Sequence, residues 1–538
     1  MRQLLILFLT GIAVAVSGAD QRDERQLQTA VRQLQQMGIS DRPVMMAETE
    51  TYAVYGAQTG GFVVVCKQDD GQVLGYSSTV YDAGHMPCGL RWWLGAVDEA
   101  LQQGATTRRA KKYSPVDNFL KTTWGQGTPY NDQCPKIKKQ RPPAGCIATA
   151  LAQVLRYYEW PAQGQGKGGY YFGDNYVEAN VDGVYDWVNM PYVSYSASTK
   201  SAVKKAVATL VYDCGKATRM AYDLEGSGAI TPNQALALAR NFQYDSLALQ
   251  YCDRVFYSSD QWMEMINAEI QARRPILYAA NDKSDDGGHA FVFSGIDEDG
   301  KVWVNWGWNG DGDGFYAVDL LNVSGYKFSE EQVMNIGIQP MSAEGPTGSY
   351  QSKWAVYYFT NPTVVDKQQL RVSYYYVYNA HFLPFTGDVG LMVESTDGQG
   401  YANLKLLEEM VPEALEYGWG YTNLTDDDSS IEPLVISFDN LPTGCYKLTW
   451  VSKDVREEVY QVMLNEDSGK LQQPFYLEKA ADGTLTLADK EITSGIRQPR
   501  TTHDEQPVYY RLDGTLSSKP QRGISIIRQG TEVRKVVR

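Results

Sequence analysis

The run Pro142-Pro143-Ala144-Gly145-Cys146-Ile147-Ala148-Thr149-Ala150-Leu151-Ala152-Gln153-Val154-Leu155-Arg156-Tyr157-Tyr158 joins a stiff loop to a helix. Two prolines restrict the entry, and Ile147, Leu151, Val154 and Leu155 recur on one helical face until Trp160-Pro161 ends it. The spacing predicts a helix over 146–158 with Cys146 at its first position. Backbone N–H groups and the helix dipole favour a thiolate there, and the thiolate is the reactive form of cysteine. Gly145, with no Cβ, admits a substrate backbone close to the sulfur. A single cysteine on a helix is more often a buried hydrophobe, so chemistry requires partners elsewhere in the chain.

Imidazole is scarce: the histidines are His85, His289, His381 and His503. His289 stands in Gly287-Gly288-His289-Ala290-Phe291-Val292, at the mouth of an apolar strand, and Gly288 keeps one side of it open to substrate. A separation of 143 residues suits a nucleophile and a base drawn from different lobes. After a turn at 297–300, Val302-Trp303-Val304 leads into Asn305-Trp306-Gly307-Trp308. An antiparallel return is expected to bring Asn305 beside His289, its amide oxygen accepting from one ring nitrogen while the other faces Cys146. Trp306 would shield that bond from water. Asp285, Asp286 and Asp297 are rival orienters, read more simply as turn residues. Gln126, between glycines in Trp124-Gly125-Gln126-Gly127, is the candidate oxyanion donor, with the Cys146 N–H as the second.

Outward from this site the chain divides. At 538 residues it exceeds what one core serves, so several structural units are expected. Arg2, the apolar run Leu4 to Val16 and small residues at 17–19 read as a removed export signal over residues 1–19, too short to span a bilayer. Residues 20–112 combine a helical pattern at Leu27, Val31 and Leu34, strands at 51–55, 62–67 and from Val73, a turn at Asp69-Asp70-Gly71, and an amphipathic helix through Trp92, Trp93, Val97 and Leu101. The basic cluster Arg108-Arg109-Ala110-Lys111-Lys112 reads as an exposed linker or as a solvated helix end. Residues 113–340 carry two helix candidates, 146–158 and 262–273, and strand-turn-strand over 290–318. A linker at 344–348 precedes recurrent strands that fit a β-sandwich over 341–500, and residues 507–538 form a short, basic β unit.

The net charge of −15 argues against a nucleic-acid partner. Seven cysteines without a CxxC pair fit neither a disulfide scaffold nor a zinc knot. The run Asn309-Gly310-Asp311-Gly312-Asp313 lacks the spacing of a calcium loop, and the chemistry sketched above needs no metal or other cofactor.

With these residues in place, the chain resembles the streptopain family of papain-like bacterial cysteine peptidases, of the interpain and periodontain type. The resemblance rests on Trp124 to Asn131, Gly145 to Gln153, Gly287 to Val292, and Val304 to Trp308 followed by Asp313-Gly314-Phe315-Tyr316. It covers about 113–340 and, more weakly, 20–112. It implies an α+β, two-lobed papain-like peptidase with an N-terminal α+β prodomain and C-terminal all-β domains. It further implies endopeptidase action on proteins and peptides, synthesis as a zymogen, and residues 20–112 as an inhibitory propeptide released near 108–112. A propeptide loop around 83–86 would then touch the Asn305 side, with His85 a candidate contact. The counterpart of the family's substrate loop is Glu225-Gly226-Ser227-Gly228-Ala229, which makes Ser227 and Gly228 candidate substrate-binding residues beside Gly145 and Gly288. Cys134, Cys214 and Cys252 depart from the family's economy in cysteine; Cys214 and Cys252 are either paired or both buried thiols. The segment 507–538 resembles the C-terminal units of secreted Bacteroidetes proteins, which implies an outer-membrane secretion machinery as partner and release or surface attachment.

Two other functions use the same residues differently. A transglutaminase or amidase would share Cys146 and His289, and an adhesin would use the β-rich 341–500 region while the peptidase unit is secondary.

Overall fold

Residues 52–66 alternate with period two, and both faces are apolar. Tyr52, Val54, Phe62, Val64 and Cys66 pack in one cluster with Trp93, while Ala53, Tyr55, Val63 and Val65 pack in another with Ala30 and Leu34. Strands covered on both faces belong inside a sheet. The computed structural model describes residues 23–488, apart from short stretches of which the longest are 106–110, 282–287, 320–331, 397–401, 409–413, 423–433 and 466–472, and beyond them strands between 508 and 537. The export-signal segment and most of the basic cluster lie outside the described residues.

The N-terminal unit comprises helix α1 (residues 23–36), strands β1 (Val44–Glu48), β2 (Tyr52–Gly56), β3 (Phe62–Cys66) and β4 (Val73–Ser77), and α2 (Cys88–Gln102). β1 carries no inward hydrophobic period: Val44, Met45 and Met46 are exposed at the sheet edge, which is why the alternation does not mark it. The central unit follows with α3 (Cys146–Tyr158), the hairpin β5 (Gly169–Phe172) and β6 (Asn175–Glu178), α4 (Ser201–Ala217), α5 (Pro232–Asn241), β7 (Gln250–Asp253), α6 (Ser259–Gln271), β8 (Ile276–Asn281), β9 (Gly288–Ile296), β10 (Val302–Asn305), β11 (Gly314–Tyr316) and β12 (Gln332–Ile336). α3 has the span its spacing predicts. α6 begins three residues before the expected Trp262, because Ser258 and Gln261 form a reciprocal capping box. α4 and α5 are two helices beyond the pair read from sequence; Val207, Leu210, Val211 and Cys214 give α4 its buried stripe.

A ten-stranded sheet, ordered β1-β2-β3-β4-β11-β10-β9-β8-β12-β7, runs through both units. The join is β4 on β11, antiparallel, with Gly75 opposite Tyr316 and Ser77 opposite Gly314. Trp93 reinforces it, donating from Nε1 to the Ala317 carbonyl at 2.9 Å and meeting the Tyr316 ring edge-on. α2 and α6 cover one face of the sheet, with Trp93, Val97, Trp262 and Ile266 in one core together with Phe291 and Phe293. α3, α4 and α5 cover the other beside Ala290 and Val292. Burying a side chain such as Leu151 or Leu155 of α3 contributes roughly 1.5–3 kcal/mol, so α3 is held by its packing more than by intrinsic propensity.

The β-rich region has its own core, in which Trp354, Leu370, Val377, Leu391, Trp450 and Leu477 meet from three separate sheets. It docks on β7, where Tyr417 packs edge-on against Tyr251 and Lys353 reaches Gln250 at 3.0 Å. The strands Val508–Tyr510, Leu516–Ser517, Ile524–Gln529 and Glu532–Val537 form a further four-stranded sheet. The alternative left open for Cys214 and Cys252 is decided: both are free, buried thiols, as is Cys134.

Candidate active site

Gly145 precedes α3 with φ +91°, a conformation that L side chains rarely adopt, and a Cβ there would fall 2.7 Å from the Met220 thioether. Only glycine delivers Cys146 to the head of the helix in this way. No side chain caps α3, so its first N–H groups are left for the sulfur. The thiol lies against the backbone of β9 on both sides of His289: Sγ faces the Gly288 carbonyl at 4.0 Å and accepts from the Ala290 N–H. His289 itself is the second residue of β9, paired with Ala280 of β8. Burial nevertheless holds the Cys146 thiol above its ordinary value, against the pull of the N–H groups of Ala290, Ile147 and Cys146. The helix terminus alone argued for the opposite direction; desolvation outweighs it here.

Gln126 is brought to the same place through backbone bonds. Its carbonyl accepts from the Ala144 N–H at 2.9 Å, two residues before the nucleophile, and Asn131 holds the entry loop by donating to the Pro142 carbonyl at 2.9 Å. Ser227 closes the other flank, donating from Oγ to the Pro143 carbonyl at 2.7 Å, while Gly228 pairs with Ala221. Gly145, Ser227 and Gly228 therefore lie together beside the head of α3, and Gly288 lies across from it.

Asn305 is anchored from several sides. The β10–β9 register sets it opposite Val292, three residues from His289, on the side of the sheet covered by α3. Its Oδ1 accepts from Gln153 Nε2 at 2.9 Å and from the Gly307 N–H at 3.0 Å, and its Nδ2 donates to the Thr122 carbonyl at 2.7 Å. Two donors thus meet the amide oxygen and one acceptor meets the amide nitrogen, which fixes the orientation of the side chain. Trp306 is buried beside it, its backbone N–H donating to Asp313 Oδ1 at 2.9 Å and its Nε1 to the Gly312 carbonyl at 3.0 Å. Asp313, fully enclosed, is pushed up to about 8 by burial, with Asp311 adding to the effect and the Trp306 N–H opposing it.

The N-terminal unit reaches this wall, but not through His85. That side chain is exposed and pairs with Asp82 of its own loop at 3.0 Å, which corrects the expected contact with the catalytic region. A short loop with two polar partners of its own satisfies itself in solvent. The contact is made instead by the first turn of α2. Gly89 lies so close to the Trp306 ring that a Cβ would sit 2.6 Å from it, and Trp92 packs on Phe291. Burial pushes the Cys88 thiol up to about 11, with the neighbouring Cys146 adding to the effect and hydrogen bonds from the Gly89 N–H and Trp308 opposing it. Ser77 and Thr79 add bonds of 2.6 Å to the Asp313 carbonyl and 2.9 Å from the Gly312 N–H. Asp297 bonds with Tyr76 at 3.2 Å and with Lys301 at 3.4 Å, as a turn residue does, whereas Asp285 and Asp286 lie outside the described residues.

Cys88 took no part in the reading of the sequence at this site, and Gln153 and Asp313 entered it only within longer motifs, with no role of their own. Gln153 carried a signal: a polar residue on the apolar stretch of α3, seven positions after Cys146.

The comparisons agree with this architecture. A model of the Peptidase C10 family matches residues 124–316. Thiol protease/hemagglutinin PrtT of Porphyromonas gingivalis is 32% identical over 321 residues, 53% of this chain; the chain spans only 36% of that relative's length. Streptopain of Streptococcus pyogenes is 30% identical over 323 residues, covering 53% of this chain and 80% of the relative. The solved structure of a prointerpain A fragment from Prevotella intermedia is 35% identical with a TM-score of 0.51, covering 56% of this chain and all of that one. The chain thus belongs to the streptopain-like Peptidase C10 family, and its central α+β unit is a papain-like cysteine endopeptidase.

Proposed function

We propose that the chain is a secreted zymogen whose residues 113–340 hydrolyse peptide bonds in proteins, with Cys146 as nucleophile and His289 as its base. The observation that carries this reading is the thiol at the head of α3, lodged against the β9 backbone on both sides of His289. His289 takes the thiol proton, the sulfur attacks the peptide carbonyl, and the Gln126 amide with the Cys146 N–H receives the developing oxyanion. His289 then protonates the leaving amine, and water hydrolyses the thioester. Gly145, Ser227, Gly228 and Gly288 border the substrate strand, Asn305 orients His289 with Trp306 covering that bond, and residues 20–112 act as the inhibitory propeptide.

Support for inhibition comes from where α2 sits, on Trp306 and beside Cys146, and from the raised thiol in that arrangement. Lys111 and Lys112 are exposed next to the described end of the N-terminal unit, which suits cleavage near 108–112. Residues 1–19 would direct export, and 507–538 would engage an outer-membrane secretion machinery for release or surface attachment.

Precursor and a form trimmed after Lys112 are to be incubated with casein and reductant, beside Cys146→Ala. Hydrolysis with new peptide termini, confined to the trimmed parent, is the expected result. Ammonia release without new termini would indicate an amidase or transglutaminase. No hydrolysis from either form, with target binding intact in Cys146→Ala, would favour the adhesin.

A further inference from the structure

Gln153 has no contact with solvent, and its neighbours Ala150, Leu151, Ala152, Val154 and Leu155 are apolar and buried. An amide in such surroundings is costly unless both of its ends are paired. Both are: Nε2 donates to Asn305 Oδ1 at 2.9 Å, and Oε1 accepts from the Trp124 N–H at 3.2 Å. Asn305 closes the ring by donating to the Thr122 carbonyl at 2.7 Å. Seven residues along an α-helix return to nearly the same azimuth, about 10 Å down the axis, so Gln153 stands beneath Cys146 on one side of α3.

The three segments joined by this ring are the ones that carry the proposed chemistry. α3 brings Cys146, residues 122–126 bring Gln126, and the end of β10 brings Asn305 and Trp306. We infer that Gln153 is a positioning residue for peptide hydrolysis, holding the oxyanion segment and Asn305 in register with the nucleophile through its paired donor and acceptor. The inference rests on the assignment of Cys146 and Gln126 made above. Gln153 does not touch substrate; it acts by setting distances, and a displacement of about 1 Å at a reacting centre costs on the order of a hundredfold in rate.

Gln153→Glu and Gln153→Met separate this role from mere filling of the core. A protonated carboxyl offers one donor and one acceptor, as the amide does; an ionised one only accepts, and then faces Asn305 Oδ1 with like polarity. Methionine keeps the volume and loses both bonds. In the full chain trimmed after Lys112, assayed on a short peptide substrate, Gln153→Met is expected to lower kcat about 10- to 100-fold with KM within about threefold. The kcat ratio of Gln153→Glu to parent is expected to fall at least about tenfold from pH 5 to pH 8, while the ratio for Gln153→Met stays flat. A flat ratio for Gln153→Glu, or a Gln153→Met enzyme within about twofold of parent, overturns the inference. If Gln153→Met does not fold, the pH ratio of the glutamate variant decides alone. Hydrolysis that persists in Cys146→Ala would instead remove the catalytic assignment, a result read independently of either Gln153 variant.

Discussion

Asp313→Asn is expected to change how the stability of this protein depends on pH, with little change in shape. The carboxyl is buried, accepts from the Trp306 N–H at 2.9 Å, and sits near Asp311. Its pKa rises from 3.8 to about 8 on folding. A carboxyl raised in the folded state is protonated there while the unfolded chain ionises it, so the unfolded state binds fewer protons across this window. Stability is therefore fullest below about pH 4 for this group and is lost as pH rises toward 8. At about 1.4 kcal/mol per pH unit, the separation bounds the loss at about 6 kcal/mol. Asparagine still accepts from Trp306 and carries no charge, so it removes the loss. The assay is denaturant unfolding at pH 5 and pH 8, followed by tryptophan fluorescence, in a Cys146→Ala background that prevents self-cleavage. The difference in unfolding free energy between the two pH values is expected to shrink by at least about 2 kcal/mol in Asp313→Asn. An unchanged difference would refute the reasoning and show that Asp313 titrates as an ordinary carboxylate.

Further outcomes concern the nucleophile and its surroundings. Gln126→Ala is expected to lower kcat by about 10²–10³ with KM nearly unchanged, the signature of a lost oxyanion donor, measured by steady-state kinetics on the trimmed enzyme. Gly145→Ala forces φ +91° on an L residue and drives a Cβ toward Met220; a destabilisation of about 1–3 kcal/mol in thermal unfolding is expected. Burial raises the Cys146 thiol while α2 is seated, so alkylation of Cys146 by iodoacetamide at pH 8 is expected to be slower in the precursor than after trimming, as read by peptide mass mapping. Equal rates would mean that the N-terminal unit does not control the thiol.

Local chemistry was enough for part of this protein. The apolar stripe of Ile147, Leu151, Val154 and Leu155 and the flanking prolines define α3, and glycine before Cys146 marks a helix head built for close approach. The alternation in β2 and β3 was equally legible, because each strand meets a core on either side. β1, α4 and α5 were not, and neither was the way β4 extends the sheet onto β11, since edge pairing depends on backbone groups that every sequence carries.

The neighbours of Asn305 were decided by the tertiary structure. β9 is buried on both faces from Ala290 to Ile296, so no polar residue marks which side faces α3. Between the pairs Val302–Ile296 and Val304–Phe293, β9 spends one more residue than β10. That bulge sends Ala290 and Val292 toward α3 and Phe291 and Phe293 toward α2 and α6. The sequence by itself determined that a thiol, an imidazole and two amides would be available in one enzyme. Register, a quantity fixed by pairing across the sheet, determined that one of those amides meets Gln153 of α3 and that the first turn of α2 closes beside the thiol.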